Sequence, residues 1–152
     1  AGVELYAAVS AQRATAPEAK QVQNLLPGSI LVGSGDGQHQ IKISKALQEK
    51  GYDKDKADRM AKSYAVNDIS TKTLQSEDIW SGFGNNGGEE YLSYMMTSES
   101  LAHQDHNKWE QWRQTIEPKF KATQNPNGSW SGQHCITSPV FCTAAVIQAW
   151  NQ

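Results

Sequence analysis

The chain has 152 residues, which is enough for one domain with a buried core. Fourteen lysines and arginines against sixteen aspartates and glutamates leave a formal net charge of −2, so no broad basic face is available for nucleic acid. The longest apolar run, around 144–147, is far too short to cross a bilayer, and we expect one soluble domain over 1–152 without a transmembrane segment.

The first residues of the chain have the apolar spacing of a helix. An apolar stripe at helical spacing comprises Val3, Leu5, Tyr6 and Val9. Pro17 stands where a first-turn proline would begin a second helix, and Pro27-Gly28 would end it. The GSGDG segment at 33–37 lacks the Gly-Lys-Ser/Thr of a phosphate-binding loop, so we interpret it as a flexible loop.

A short helix and the helix that follows it are joined by a turn. The stretch QIKISKALQEKG predicts a helix that Gly51 caps at its C-terminal end. The following helix begins at DKDKAD, whose alternating acids resemble the start of a calcium loop. Such a loop requires glycine and glutamate where this chain has Asp58 and Tyr64, so we expect Asp53 or Asp55 to cap the helix instead.

A glycine-rich segment, SGFGNNGG at 81–88, leads into a helix that is apolar over most of its surface. Glu89 and Glu90 fall in the first turn, where free backbone amides and the helix dipole stabilise carboxylates. Because aromatic and methionine side chains leave only a narrow polar stripe, we expect this helix to be largely buried.

The last two helices differ in their patterns. The first has one apolar stripe, formed by Trp109, Trp112, Ile116 and Phe120, and Pro118 should kink or interrupt it. The second is capped by Ser138, begins at Pro139 and is apolar nearly all round to Trp150, which predicts an interior helix. The alternation of half-polar and apolar helices predicts an all-α fold of antiparallel hairpins in two layers.

The segment QNPNGSW, 124–130, has the Gln-x-x-x-Gly-x-Trp spacing of the repeat of squalene cyclases, and similar hairpins occur in protein prenyltransferase β-subunits. More narrowly, 82–146 resembles the C-terminal hairpins of bacterial prenyltransferase or squalene-oxidase repeat proteins. The resemblance implies a partial, half α/α toroid, which would be the C-terminal half of a larger ring. It also implies that Gln124 and Trp130 tie an outer helix to the next inner helix, with Gly128 supplying the positive φ of the turn.

The function that this resemblance implies is limited by what the sequence lacks. The Asp-x-Asp-Asp acid that initiates cyclisation in squalene cyclases is absent. A half ring has apolar edges that another polypeptide or a second copy would cover. We therefore expect a non-catalytic binding or assembly module, with a fragment or subunit of a prenyl- or terpenoid-type, zinc-dependent enzyme as the alternative. The expected partner surface comprises Trp80, Tyr91, Met95, Met96 and Trp150.

Cys135 and Cys142 flank the start of the last helix. With one in the loop and the other in the first turn they can form a disulfide, worth about 2–3 kcal/mol. Two buried thiols are the alternative in a cytosolic protein. An Ala1-Gly2 start would suit a precursor cleaved on export, which favours an exported or periplasmic location and the disulfide.

Zinc is the one cofactor that the sequence suggests. His134-Cys135 lies beside a helix start, and in prenyltransferases zinc is held by Asp, Cys and His at inner-helix ends. Glu89, Glu90, His134 and Cys135 would converge if their two inner helices are adjacent, since both pairs precede or begin an inner helix at the same end. No Ser-His-Asp or Cys-His-Asn set can be assembled, so no catalytic residue is assigned.

Overall fold

The computed structural model describes residues 2–80 and 87–152, except for the side chains of Glu77 and Trp80. Over these ranges the chain is all-helical and forms no strand. The helices in chain order are α1 (Gly2–Leu25), α2 (Gly28–Leu31), α3 (Gly37–Glu49), α4 (Lys54–Leu74), α5 (Glu77–Trp80), α6 (Glu89–Gln104), α7 (His106–Thr123) and α8 (Pro139–Trp150). Within these ranges, no helix has the length and apolar character needed to cross a membrane.

Helix α1 continues through Pro17, so the prediction of two helices was wrong. Pro17 is exposed, and its ring removes only one backbone hydrogen bond on the solvent side. The residues on either side of it share one buried face, which includes Leu5, Ala16 and Val22. Burying that continuous face against α4 outweighs the local cost of the proline. Pro118 is likewise exposed and does not interrupt α7.

Three of the predicted helix ends are confirmed. Gly51 has φ +98° and follows α3, as a C-terminal cap requires. The Asp53 carboxylate accepts a hydrogen bond from the Lys56 amide at 3.0 Å and caps α4. Ser138 accepts from the Phe141 amide at 3.4 Å and precedes Pro139 at the start of α8.

The GSGDG segment leads directly into α3. Asp36 is the N-cap, and its carboxylate accepts a hydrogen bond from the His39 amide at 2.9 Å. The buried His39 ring joins this loop to α2, because its nitrogens contact the Gly35 amide at 3.0 Å and the Ile30 carbonyl at 3.1 Å. The segment is therefore held by the imidazole of α3.

Helix α6 packs against both α1 and α8, and α1 and α6 point in the same direction. Tyr6 and Leu92 line one cavity near the starts of α1 and α6, and Lys20 contacts the His103 carbonyl near their ends. Helix α8 begins beside the start of α6, where Cys142 lies against Gly88. The starts of α6 and α8 are therefore adjacent.

Helices α4 and α7 pack against α1 and α6, respectively, and run in the opposite direction. The start of α1 shares a cavity with the end of α4, and Phe120 at the end of α7 contacts Tyr91 at the start of α6. Asn67 of α4 donates a hydrogen bond to the Gln12 carbonyl of α1, and Trp112 of α7 donates one to Ser98 of α6 at 2.8 Å.

The buried side chains form two clusters. One lies mainly among α6, α7, α8 and the start of α1, with Leu74 and Ile79 from α4 and α5, and the other lies mainly among α1, α3 and α4, with Leu31 from α2.

Burial agrees with the prediction for α6 and departs from it for α8. Half of α6, including Tyr94 and Leu101, is buried. Helix α8 buries one face, with Val146 fully enclosed, but its other face is open: Val140 is 82% and Ile147 53% exposed. The prediction of an interior α8 was wrong for that face, because only α6 and α7 pack against this helix closely within the described ranges.

Candidate metal centre

The segment between α7 and α8 packs directly onto the start of α6. The Gly88 amide donates a hydrogen bond to the Ile136 carbonyl at 2.8 Å. A Cβ at Gly87 would collide with the His134 carbonyl and the Glu89 carboxylate, and a Cβ at Gly88 would collide with Ile136. The two glycines therefore permit a backbone approach that a larger residue would prevent.

This approach brings three predicted ligand residues together. One carboxylate oxygen of Glu89, one imidazole nitrogen of His134 and the sulfur of Cys135 all lie within 4.8 Å of one another. His134 Nδ1 and Cys135 Sγ are 3.1 Å apart. His134 and Cys135 are exposed, while Glu89 is half-buried. The cluster is open to solvent on one side and bounded by protein on the other.

The Glu89 carboxylate has an unusual environment. Its Oε2 atom is buried and has no hydrogen-bond partner among the described residues. A buried carboxylate oxygen without a donor is costly, because it has lost its hydration without a replacement. A cation between Glu89, His134 and Cys135 would supply that replacement.

The backbone at Cys135 is strained. Its φ is +58°, and within the described ranges it is the one residue other than glycine with a positive φ. A side chain with a Cβ rarely adopts this left-handed conformation, which occurs chiefly where the surrounding structure imposes it. Here the conformation accompanies the close contact between Cys135 Sγ and the His134 ring.

Glutamate, histidine and cysteine together suit zinc, which accepts oxygen, nitrogen and sulfur ligands in a tetrahedron. Donor atoms on one tetrahedral zinc lie roughly 3.3–3.7 Å apart, given bonds of about 2.0–2.3 Å. The observed separations, up to 4.8 Å, need only small side-chain movements to reach this geometry. Three protein ligands leave the fourth position of the tetrahedron for water or another molecule.

Glu90 does not belong to this cluster. Successive residues of a helix point about 100° apart, so the Glu90 side chain points away from that of Glu89. It lies on the buried side of α6 and is 4% exposed. The prediction that Glu89 and Glu90 both converge on His134 and Cys135 was therefore wrong for Glu90.

Both cysteines are free thiols, so the predicted disulfide is not formed in this structure. Cys142 is buried beneath the loop and contacts the Ile136 carbonyl at 3.9 Å. Burial is the main cause that raises the pKa of the Cys142 thiol. Cys135 instead lies with His134 and Glu89, and the disulfide in exported material stays a prediction.

Tyr6 lies near the cluster, although the sequence assigned it only to an apolar stripe. Burial, and then the negative charges of Glu89, Glu90 and Cys135, raise the pKa of its phenol, so Tyr6 stays protonated as a hydrogen-bond donor. Tyr6 and Glu89 both line a cavity of about 410 Å³ between α1 and α6. No sequence motif links residues so far apart in the chain; the packing of α1 on α6 brings them together.

The Gln124, Gly128 and Trp130 segment connects α7 to α8. Gln124 donates a hydrogen bond to the Gly128 carbonyl at 2.9 Å, and Gly128 has φ +85°. The Trp130 indole donates to the Phe120 carbonyl at 2.8 Å, and its amide donates to Thr143 Oγ1 at 3.0 Å. Trp130 therefore contacts both helices that the segment joins.

The predicted partner surface is only partly at the surface. Tyr91 is 3% exposed and belongs to the core, so it offers no surface to a partner. Met95, Met96 and Trp150 are partly buried against that core. The side chain of Trp80 lies outside the described residues. The more exposed apolar side chains are Val140, Phe141 and Ile147 of α8, which the sequence pattern had assigned to the interior.

Comparisons of the chain with protein-family models, with curated proteins and with solved structures found no match.

Proposed function

We propose that this chain is a helical binding module that holds a zinc ion between Glu89, His134 and Cys135. The observation that carries the proposal is the convergence of these three ligand types within 4.8 Å. The unpartnered Glu89 oxygen and the left-handed Cys135 support it, because both are costs that a bound cation would offset.

We also propose that the module belongs to the α/α-toroid repeat class. Helices α1, α6 and α8 would be the inner layer, and α4 and α7, which run opposite to α1 and α6, would be outer helices. The Trp130 contacts between α7 and α8 are those expected of the repeat. Repeat proteins bury their terminal faces against a cap or a partner.

The exposed side of α8 is where such a partner would bind. Val140 and Ile147 are 82% and 53% exposed, and Phe141 adds aromatic surface beside them. Apolar side chains grouped on one helix face favour association with another polypeptide or a second copy of the chain. This second part of the proposal makes the chain an assembly module as well as a metal-binding one.

A zinc-dependent enzyme, or a fragment of one, is the second candidate function. It is favoured by the ligand count, because three protein ligands and one open position are typical of catalytic zinc, whereas structural zinc has four protein ligands. A zinc-bound water in that position would be a stronger acid than free water and could act as a nucleophile. The cavity beside Glu89 would then receive the substrate.

Zinc titration tests the metal centre. Chelator-treated protein would be titrated with zinc in competition with a chromophoric chelator, and bound metal counted by mass spectrometry. We expect one zinc per chain, and at least about tenfold weaker binding in Glu89→Gln, His134→Ala and Cys135→Ser. Matched controls are Glu4→Gln and His106→Ala, whose side chains lie outside the cluster. Equal zinc affinity in the ligand variants and the controls would overturn the proposal.

A further inference from the structure

The groove between α1 and α6 extends away from the metal centre. Its first part is the cavity of about 410 Å³ that Glu89 lines, and its second part is a cavity of about 390 Å³ nearer the ends of both helices. Arg13 lines both parts. The two cavities are therefore neighbours along one groove, called here the α1–α6 groove.

One end of the α1–α6 groove is the metal centre. Glu89 is shared between the cluster and the groove. For a ligand in the groove to reach a zinc held there, the open coordination position must face this end, where Glu89 lines the cavity. Tyr6 lines the same end and adds a phenol donor.

The middle of the groove is apolar. Val9 of α1 and Leu92 and Met96 of α6 line it. Met96 is partly buried against the core, so this wall is held in place by packing. A methylene chain lying here would bury apolar surface on both of its sides.

A positive charge lies beyond the apolar middle. Arg13 is 39% exposed, and its ion pair with Glu99 is long, at 3.9 Å between Nη2 and Oε2. A guanidinium has five N–H donors, so Arg13 can bind a ligand anion as well as Glu99. Met96, near Arg13, lies seven residues after Glu89 on α6, a rise of roughly 10 Å.

We propose that the α1–α6 groove binds a small linear molecule with a metal-coordinating group at one end, an apolar middle and a carboxylate about 10 Å away that pairs with Arg13. This inference rests on the proposed zinc centre and adds the class of ligand. The simplest probe of that class is mercaptooctanoate, whose thiolate can take the open metal position while its carboxylate reaches Arg13.

Cobalt-substituted protein gives a direct test, because the visible absorption of cobalt reports each change in its ligands. Titration with mercaptooctanoate should increase the thiolate-to-cobalt absorption as a second sulfur binds. Mercaptooctanol, which has the same length without the charge, should bind roughly fivefold more weakly. Arg13→Gln should abolish this preference and leave the cobalt spectrum of the ligand-free protein unchanged.

Two further variants test the position of the ligand. Ser10→Trp, at an exposed position that lines the groove, should weaken both probes at least about tenfold by filling the space that an apolar chain occupies. Arg59→Gln, on the exposed surface of α4, is the matched control and should bind both probes as the unaltered chain does.

The outcomes separate the two proposals. Failure of cobalt to bind would overturn the metal centre and the groove together. Cobalt binding without a spectral response to mercaptooctanoate, or with equal affinity for both probes, would overturn the groove and leave the metal centre standing. A spectral response that Ser10→Trp does not weaken would place the ligand elsewhere and also overturn the groove.

Discussion

The backbone amide of Gly88 donates a hydrogen bond to the carbonyl of Ile136 over 2.8 Å, and this contact joins the start of α6 to the loop that carries His134 and Cys135. The proposed metal centre depends on this short approach. Its two halves come from parts of the chain that α7 separates, so any group that pushes the loop outward would separate the ligands.

Gly88→Ala should therefore damage both stability and metal binding. The added methyl group would collide with the Ile136 carbonyl and lie 2.7 Å from Cys142 Sγ. We expect a loss of about 1–3 kcal/mol in the free energy of unfolding and weaker zinc binding, measured by urea denaturation and zinc titration. Gly28→Ala is the control, since its Cβ would meet nothing within 4 Å. Equal behaviour of the two variants would contradict the prediction.

Trp130→Phe should reduce stability by removing a buried hydrogen bond. The variant keeps a large ring but leaves the Phe120 carbonyl without the indole donor now 2.8 Å away. We expect a cost of about 1–3 kcal/mol by urea denaturation. Trp109→Phe is a matched comparison, because the buried Trp109 indole nitrogen has no partner among the described residues. A cost as large for Trp109→Phe would show that lost ring area, rather than the hydrogen bond, explains the effect.

Asn67→Leu should destabilise the crossing of α1, α4 and α6. The Asn67 amide donates to the Gln12 carbonyl at 2.9 Å and accepts from Gln104 at 2.8 Å, and the residue is 1% exposed. A leucine of similar volume would remove both buried hydrogen bonds, at a cost of about 1–3 kcal/mol. Gln104 would keep its contact with Gln23, and the Gln12 carbonyl its contact with Thr15, each at 3.4 Å. Thermal unfolding measures the change. An unaltered midpoint would mean that water replaces the asparagine at this crossing.

The acid dependence of stability should include a contribution from Asp58. Its hydrogen bond from Lys54, and then that from Ser44, lower the pKa of its carboxyl below the ordinary 3.8. A lowered folded pKa gives stability that is present above the unfolded pKa and is lost as the pH falls through the folded one. The free energy of unfolding should thus fall more steeply from about pH 5 to pH 3 in the unaltered chain than in Asp58→Asn. An equal fall in the free energy of unfolding with pH in the unaltered chain and in Asp58→Asn would contradict this prediction.

The exposed face of α8 should tolerate charge in the isolated chain. Ile147→Glu, at a position that is 53% exposed, should change the free energy of unfolding by no more than about 0.5 kcal/mol. It should weaken any association that light scattering detects, because the apolar contact is lost. Val146→Glu, at the fully buried neighbouring position, should unfold the chain. Association that survives Ile147→Glu would exclude this face as the partner surface.

Local features of the fold could be predicted from the sequence. Gly51, Asp53 and Ser138 act within a few residues of themselves, so their capping roles follow from residue type and position. The sequence predicts a helix start at Pro17, but α1 continues through it. The packing of α1 on α4, which keeps the helix continuous, cannot be read from the residues next to the proline. An apolar pattern on α8 likewise cannot distinguish burial in the core from an uncovered face.

The cluster of Glu89, His134 and Cys135 was partly predictable for a related reason. Glu89 lies in the first turn of α6 and His134-Cys135 precede α8, so their convergence could be predicted if those two helices were adjacent, and the structure brings the three residues together. The sequence predicts that Glu90 also belongs to the cluster, because its position in the first turn does not specify toward which side of α6 its side chain points. Tyr6 and Arg13 could not be assigned to the site, since only the tertiary packing of α1 on α6 brings them near it.

The ligands at Glu89 and His134 are 45 positions apart in the sequence and meet only when α6, α7 and α8 have folded. An ion held there binds the folded chain and has little affinity for the unfolded one. By mass action it would add about 2.7 kcal/mol to the free energy of unfolding when free zinc exceeds its dissociation constant a hundredfold. The unfolded fraction would then follow the zinc supply of the compartment, and zinc scarcity would shorten the lifetime of the chain through proteolysis.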